Sequence, residues 1–255
     1  MRELERESSP DSDTPSCRRL AVVGRGRLGT ALADALSDGG YHVDGPLGRG
    51  ADARGSDAVL LCVPDAQIAA AATLVAPGPL VGHCSGASGL GPLAPHEAFS
   101  LHPLMTVTSQ GATLAGAGAA ISGSTERARR IAAELASALG MRPVEIAEED
   151  RAAYHAAAAI ASNFLITLEA AAERIAADVG VDRSLLVPLV RATVENWAAL
   201  GAEDALTGPV ARGDMITVER QRAAVAAKAE DLLPLFDALV DATVELAGRS
   251  EAAVA

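Results

Sequence analysis

The sequence is short of aromatic residues, of cysteine and of positive charge. Aromatics make up 2% of its 255 residues, too few to assemble stacking platforms for single strands or carbohydrates, so the core has to be aliphatic, mostly Ala, Val and Leu. Basic residues number 21 against 33 acidic ones, a net charge of -12, and this balance argues against a nucleic-acid binder, which needs clustered Lys and Arg to displace counterions. Three cysteines, Cys17, Cys62 and Cys84, show no CxxC spacing, which argues against both a disulfide framework and a structural zinc site and favours a reducing, cytoplasmic compartment. His83, Cys84, His96 and His102 form no i, i+4 pattern, so no metal is expected.

The N-terminal stretch MRELERESSPDSDTPS is charged and rich in Ser and Pro; residues 1–16 are expected to be a disordered tail without an export signal. The longest uncharged helical stretch lies between Arg151 and Glu169, about 17 residues, and is broken by His155, Ser162, Asn163 and Thr167, too short and polar to span a bilayer comfortably, so no membrane association is expected. What the chain has is a hydrophobic fraction of 49%, enough for one large domain or two small ones.

From Cys17 to about Ile146, short apolar runs alternate with helix-like segments, the rhythm of a parallel α/β sheet. The expected strands are Leu20 to Gly24, Tyr41 to Leu47, Ala58 to Pro64, Pro79 to Ser85, Ala98 to Leu104, a weak one near Ile121, and Arg142 to Ala147. Helices are expected at Leu28 to Ser37 and between a Ser124 cap and Gly140. Beyond Glu148 the chain turns Ala-rich and helical, which places a domain boundary between residues 148 and 149. There a helix is expected from Glu149 to Val179, a second from an Asp182 cap to Leu200, and a third opened by Thr217 and interrupted at Pro234. The segment LTGPVARGD, Leu206 to Asp214, breaks the helical pattern.

The strongest local signal is Gly24-Arg25-Gly26-Arg27-Leu28-Gly29, a GxGxxG directly after an apolar strand and opening a helix. The first Gly permits the tight turn, the second lets backbone approach a pyrophosphate, and the third lets helix and strand pack closely. The helix N-terminus adds free N–H donors for that anion. An NAD site usually carries Asp or Glu about 20 residues further on; here Gly48-Arg49-Gly50 stands there. Arg49, helped by Arg25 or Arg27, can pair with a 2′-phosphate, which favours NADP(H); the alternatives are Asp44 or Asp52 on the ribose, or a solvated Arg49. Only about ten residues separate Arg49 from the next strand, so the third strand of a doubly wound sheet and its crossover helix are missing. The turns after the next two strands should flank a nicotinamide, which nominates Val63, Pro64 and Ser85; Asp65 equally suits a helix cap.

Through VVGRGRLG, LLCVPDAQI, SGA, SLHPLMTV, YHAAAAIASNFLITL and LTGPVARGDMITVE, the sequence resembles the superfamily of 6-phosphogluconate dehydrogenase, pyrroline-5-carboxylate reductase and ketopantoate reductase. Within it, the nearest likeness is to a group of NADP oxidoreductases that join a Rossmann-like domain to a C-terminal helical domain of unknown function. The resemblance spans nearly everything from Leu20 to Gly248. It implies an abbreviated Rossmann-like α/β domain at 17–148, then an all-α domain at 149–255 for substrate and dimerisation. The Ala161-Ser162-Asn163-Phe164 segment resembles the small-residue opening of the reductases' long helix, and Thr207-Gly208-Pro209 through Asp214 resembles their loop that meets substrate. Two features depart from the pattern: Val210-Ala211-Arg212-Gly213-Asp214 replaces a Gly-Gly-Thr run, and Ala159 stands where the dehydrogenases carry a Lys four residues before Asn.

His155 is the available substitute for that Lys: at 100° per residue, His155, Ala159 and Ser162 share a stripe with Asn163 on its flank, and an imidazole there can protonate an atom next to the hydride acceptor. The bland alternative is a helix histidine bonded to a carbonyl. His102-Pro103 can line the cleft as well, but a turn histidine is the safer reading. Arg212 can hold a substrate carboxylate. The expectation is an NADP(H)-dependent oxidoreductase acting on a small anionic carbonyl compound such as a ketopantoate-like 2-oxo acid, with His155, Asn163, Thr207 and Arg212 around the substrate. Cyclic-imine reduction, a deazaflavin partner, or a non-catalytic NADP(H) sensor are the alternatives. The apolar helices predict a homodimer.

Overall fold

The structure is a computed structural model, and it describes residues 17–109 and 111–254; the N-terminal tail, 1–16, lies outside them. Strands β1 (Arg19–Val23), β2 (His42–Leu47), β3 (Ala58–Leu61), β4 (Leu80–His83), β5 (Ala98–Leu104), β6 (Gly118–Gly123) and β7 (Arg142–Glu145) form one sheet in the order β2-β1-β3-β4-β5-β6-β7. Between them lie helices α1 (Arg27–Asp38), α2 (Ile68–Ala72) and α3 (Glu126–Ala138). β1 pairs directly with β3, and β2 is an edge, so the third strand and its helix are indeed missing. Along the free side of β2 runs a depression of about 450 Å³ lined by Asp44, Leu47 and Ala51 among others.

Every residue of β3 and β4 is buried, as expected of strands covered on both faces. Alternation along β1 sorts the two cores: Leu20 and Val22 pack with Leu32 and Leu36 of α1 and Ile131 and Leu135 of α3, whereas Ala21 and Val23 pack with Ile68, Ala72 and Leu93 on the other side. The sheet is not wholly parallel. β6 runs antiparallel to β5, because the return between them carries no helix, and without a crossover the chain re-enters in the opposite sense. At α3 the cap is Thr125, whose side chain accepts from the Ala128 amide; Ser124 instead accepts from the Ala98 amide at 2.8 Å.

Among the described residues no strand follows β7. A single turn at Glu148–Asp150 leads into α4 (Arg151–Ala159), a π turn at Ile160–Phe164 and α5 (Leu165–Ala177). The helical run Glu148–Ala177 spans 30 residues and is long and apolar enough, by length and composition alone, to cross a membrane, more than its uncharged stretch suggests. α6 (Arg183–Leu200) starts at Asp182, whose carboxylate accepts from the Ser184 amide at 2.9 Å, and stops at Gly201. Then come α7 (Ala202–Ala205), α8 (Met215–Lys228) and α9 (Leu233–Val254). Asp214, not Thr217, caps α8. The break before α9 falls at 229–232, and Pro234 sits in the first turn of α9, where its missing N–H costs nothing.

The chain divides into two compact units, 1–162 and 163–255, so that α4 belongs with the sheet. In the second unit Val218, Val225 and Ala229 are the buried apolar residues among those described.

Candidate functional site

In the first unit the carboxyl ends of β1, β3 and β4 lie side by side, and the glycine loop joins β1 to α1 there. Gly24 has φ +128, and a Cβ on it would lie 2.1 Å from the Cys62 carbonyl oxygen. Its amide donates to the Leu47 carbonyl at 2.9 Å, which ties the loop to the end of β2. A Cβ on Gly29 would lie 2.0 Å from the Gly24 carbonyl oxygen. Gly26 is different: a Cβ there would meet no protein atom within 4 Å. The protein's own packing thus accounts for Gly24 and Gly29 but does not require a glycine at Gly26. Gly26 is also the N-cap of α1, with no side-chain cap and no acidic residue in the first turn, so the first amides of the helix point at open space with the positive end of its dipole behind them.

Arginines stand around the glycine loop and the end of β2. The Arg25 guanidinium comes within 3.6 Å of where a Gly48 Cβ would stand, next to exposed Arg49, and Arg27 is exposed on the first turn of α1. The acidic alternatives are differently placed. Asp52 accepts from Arg54 Nε at 2.6 Å, an ion pair that holds its carboxyl below the usual carboxylate range; Asp44 sits within β2 beside the depression. Arg25, Gly26, Arg27 and Arg49 are exposed around the loop and the end of β2, with Gly24 and Leu28 half-buried and Gly29 buried.

Val63 is half-buried and Pro64 exposed at the end of β3. Ser85, buried after β4, is committed to its own turn: its hydroxyl donates to Asp65 Oδ2 at 2.7 Å and accepts from the Ser88 and Ala87 amides at 2.9 and 3.2 Å. Its hydroxyl shapes the turn after β4. Asp65 is the anchor that ties the two turns together. His83 is fully buried; its Nδ1 accepts from the Ser85 amide at 3.2 Å, so Nε2 donates to the Gly89 carbonyl at 2.9 Å, and burial pushes its pKa down.

A cluster follows that sequence reasoning missed. His102 lies on β5, not in a turn, and its Nδ1 shares a hydrogen bond of 2.8 Å with the Tyr154 hydroxyl of α4. The His155 ring stands 6.1 Å from that of His102, nearly perpendicular, and a Cβ on Gly86 would come within 2.8 Å of His155 Cδ2 and 2.9 Å of His102 Nε2. Two imidazole edges therefore meet at a glycine just past the end of β4. Burial, with the His155 and Arg151 fields behind it, pushes the His102 pKa down to about 4. Arg151 is 2% exposed; its Nη2 donates to the Ser100 hydroxyl and to that of Ser122 at 2.7 Å, while Nε and Nη1 have no hydrogen-bond partner. The signal for this cluster was a histidine near the carboxyl end of an apolar strand, AFSLHPL, with Tyr-His opening the helix after the last strand.

The sequence-predicted catalytic residues fall in different units. His155 stands at Gly86, in the first. The π turn at Ile160–Phe164 closes i to i+5 bonds and advances less per residue than an α-helix, so the 100° stripe from His155 does not carry through to Ser162 and Asn163. Asn163 is exposed, and its carbonyl accepts from the Thr167 hydroxyl at 3.2 Å. Thr207 and Arg212, also in the second unit, are exposed. Asp214 is taken up by Thr217, accepting from its hydroxyl at 2.7 Å and its amide at 3.1 Å. The chain's single lysine, Lys228, closes α8, so no lysine stands on α4 or α5.

Solved structures share this architecture. A candidate NADP oxidoreductase of Bacteroides fragilis is 20% identical, over 90% of this chain and 98% of its own, with a TM-score of 0.77. A protein of Thermotoga maritima is 25% identical, over 91% and 99%, with a TM-score of 0.74. The pyrroline carboxylate reductase of Plasmodium falciparum, solved with NADP bound, is 13% identical, over 91% and 98%, with a TM-score of 0.56. No curated protein matches the chain. The fold is Rossmann-like with an all-helical C-terminal region, and residues 98–243, more than half of the chain, match the family described as Domain of unknown function (DUF2520), to which this protein belongs.

Proposed function

We propose that this protein is an NADP(H)-dependent oxidoreductase that reduces a small, anionic carbonyl compound. The observation that carries the reading is the loop at Gly26: a glycine whose missing side chain the protein itself does not require, at an uncapped helix N-terminus. The residues present fit the dinucleotide. Gly26 and Leu28 would hold the pyrophosphate, with Gly24 shaping the turn and Gly29 letting the helix pack beneath it; Arg25, Arg27 and Arg49 would hold the 2′-phosphate, and Val63 and Pro64 would line the nicotinamide side. NADPH, when bound, supplies a hydride. The proton that completes the reduction comes from the imidazoles gathered at Gly86, where His155 stands. Asn163, Thr207 and Arg212 are assigned to the substrate on the family resemblance and on their chemistry, Arg212 to a carboxylate such as that of a 2-oxo acid.

The test is a binding titration with NADPH and NADH. NADPH is expected to win by tenfold or more, about 1.4 kcal/mol, with the preference lost in Arg49→Ala; if neither nucleotide binds, the reading fails.

The protein is further proposed to be a homodimer through the helical unit. Phe164, Ile166, Leu185, Leu189, Trp197 and Ile216 are each 59 to 72% exposed, and large apolar side chains left exposed in this number support an interface. Light scattering at micromolar concentration should give twice the chain mass; a monomer refutes it.

A further inference from the structure

Tyr154 and His102 lie 52 residues apart in sequence and share the 2.8 Å hydrogen bond between the tyrosine hydroxyl and Nδ1. The other ring nitrogen, Nε2, makes no hydrogen bond among the described residues, and it is not one of the polar atoms sealed from solvent without a partner. It therefore keeps access to a small molecule, and it does so beside Gly86, where the His155 edge converges with it. The groups around His102 are Arg151, Tyr154 and His155 on α4, Asp65 after β3 and His83 on β4. Arg151 precedes Tyr154 by three residues on the same face of α4; burial pushes the Tyr154 hydroxyl pKa up, which keeps it protonated as a donor, and the Arg151 field offsets part of that rise.

We propose that Tyr154 and His102 form the proton relay of the reductase: the Tyr154 hydroxyl donates to Nδ1 of His102, and the Nε2–H of His102 is delivered to the substrate. This rests on the reductase reading above. As hydride reaches the substrate carbon, the C=O π pair moves onto oxygen. Oxygen takes the Nε2 proton and Nδ1 takes the proton of Tyr154; the relay resets when Nε2 takes a proton from water and Nδ1 returns its own to the tyrosinate. One hydride and one proton are consumed per carbonyl reduced, and His102 returns neutral. His102 touches substrate and is catalytic; Tyr154 acts through it; Arg151 is a positioning residue; His155 orients the acceptor atom from the opposite side of Gly86.

The relay requires one tautomer. Long-range ¹⁵N correlation spectra of the full chain, with His102→Gln to assign the signal, are expected to show the His102 proton on Nε2 at pH 7. A proton on Nδ1 overturns the relay, since Nε2 then has nothing to give. Titration with NADP⁺ in the same sample should move the amides of Gly24 to Gly29. If they stay still, the reductase reading fails and takes the relay with it; if they move while the proton sits on Nδ1, the relay alone fails. In turnover of the fastest substrate among 2-oxo acids and cyclic imines, Tyr154→Phe should lower kcat at least 100-fold and change KM less than threefold. Wild-type kcat in Tyr154→Phe overturns the proposal.

Discussion

Gly26 and Gly29 stand three residues apart in one loop and separate ligand binding from packing. Gly26 has φ -77 and ψ 174, a conformation alanine adopts freely, and its Cβ would meet nothing within 4 Å. Gly26→Ala restricts the unfolded chain, worth about 0.4 to 1 kcal/mol, and loses a comparable amount because alanine is a poorer N-cap than glycine. The net change stays within about 1 kcal/mol, a Tm shift of about 4 °C or less for a chain of this size. Affinity for NADPH should fall, because the new methyl occupies the approach of a phosphate to the helix amides. Losing one charge-assisted hydrogen bond costs about 1.5 to 3 kcal/mol, roughly 10- to 150-fold in Kd. Gly29→Ala does the reverse. Its methyl would lie 2.0 Å from a backbone carbonyl oxygen and 3.2 Å from Cys62 Cβ, neither the end of a flexible side chain, and overpacking of this kind costs about 1 to 3 kcal/mol or more. Thermal melts and calorimetric titration of both variants decide it. If Gly26→Ala binds NADPH as tightly as wild type, or melts as early as Gly29→Ala, the pyrophosphate does not sit at Gly26.

Within the sheet, Gly82→Ala would place a Cβ 2.3 Å from the Phe99 ring, which is fully buried; a loss of about 1 to 3 kcal/mol in urea denaturation is expected, partly recovered by adding Phe99→Leu, and additive effects would show that the two do not touch. Stability should also fall on mild acidification. With the folded His102 held at about 4 against about 6.5 unfolded, the unfolded chain binds the extra proton between these values, so the contribution is complete above pH 6.5 and lost toward pH 4, about 3 kcal/mol at most. His83 acts in the same direction, whereas Asp57, held below 3.8 by the Arg18 and Arg19 amides, titrates lower. Urea midpoints at pH 7, 5.5 and 4.5 should fall in order in wild type and less steeply in His102→Asn; a flat profile contradicts the assignment.

The elements that could be read from the sequence are those whose cause is local. Three glycines at fixed spacing after VV, the Asp182 and Gly201 ends of α6, and the short stretch between Leu47 and Ala58 each state their structure within a few residues. The direction of β6 could not be read this way. A strand's sense depends on whether a crossover helix precedes it, and the segment 105–117, rich in Gly, Ala and Thr, carries no periodicity that says so. Neighbouring candidates competed at the caps: Ser124 and Thr125 are equally good acceptors for a helix N-terminus, and which one serves is settled by the Ala98 amide of the neighbouring strand claiming Ser124.

The site divides along the same line. The phosphate loop is contiguous and could be found in the sequence, whereas the proton-handling groups come from β5 and α4 and meet only because the sheet brings His102 under the start of the helix. Two local rules pointed away from that meeting. His-Pro suggested a turn, but Pro103 is accommodated on β5 with the strand continuing to Leu104. Tyr154 and His155 project about 100° apart on a helix, so neither faces the other. That divergence is what lets them flank a third residue: Tyr154 reaches Nδ1 from one side of the His102 ring while His155 approaches its Nε2 edge at Gly86. Adjacent helix residues cannot face each other, but they can face a common partner on a strand, and a search of this family for reacting groups should therefore pair the first turns of α4 with the carboxyl end of β5 instead of following one stripe down the helix.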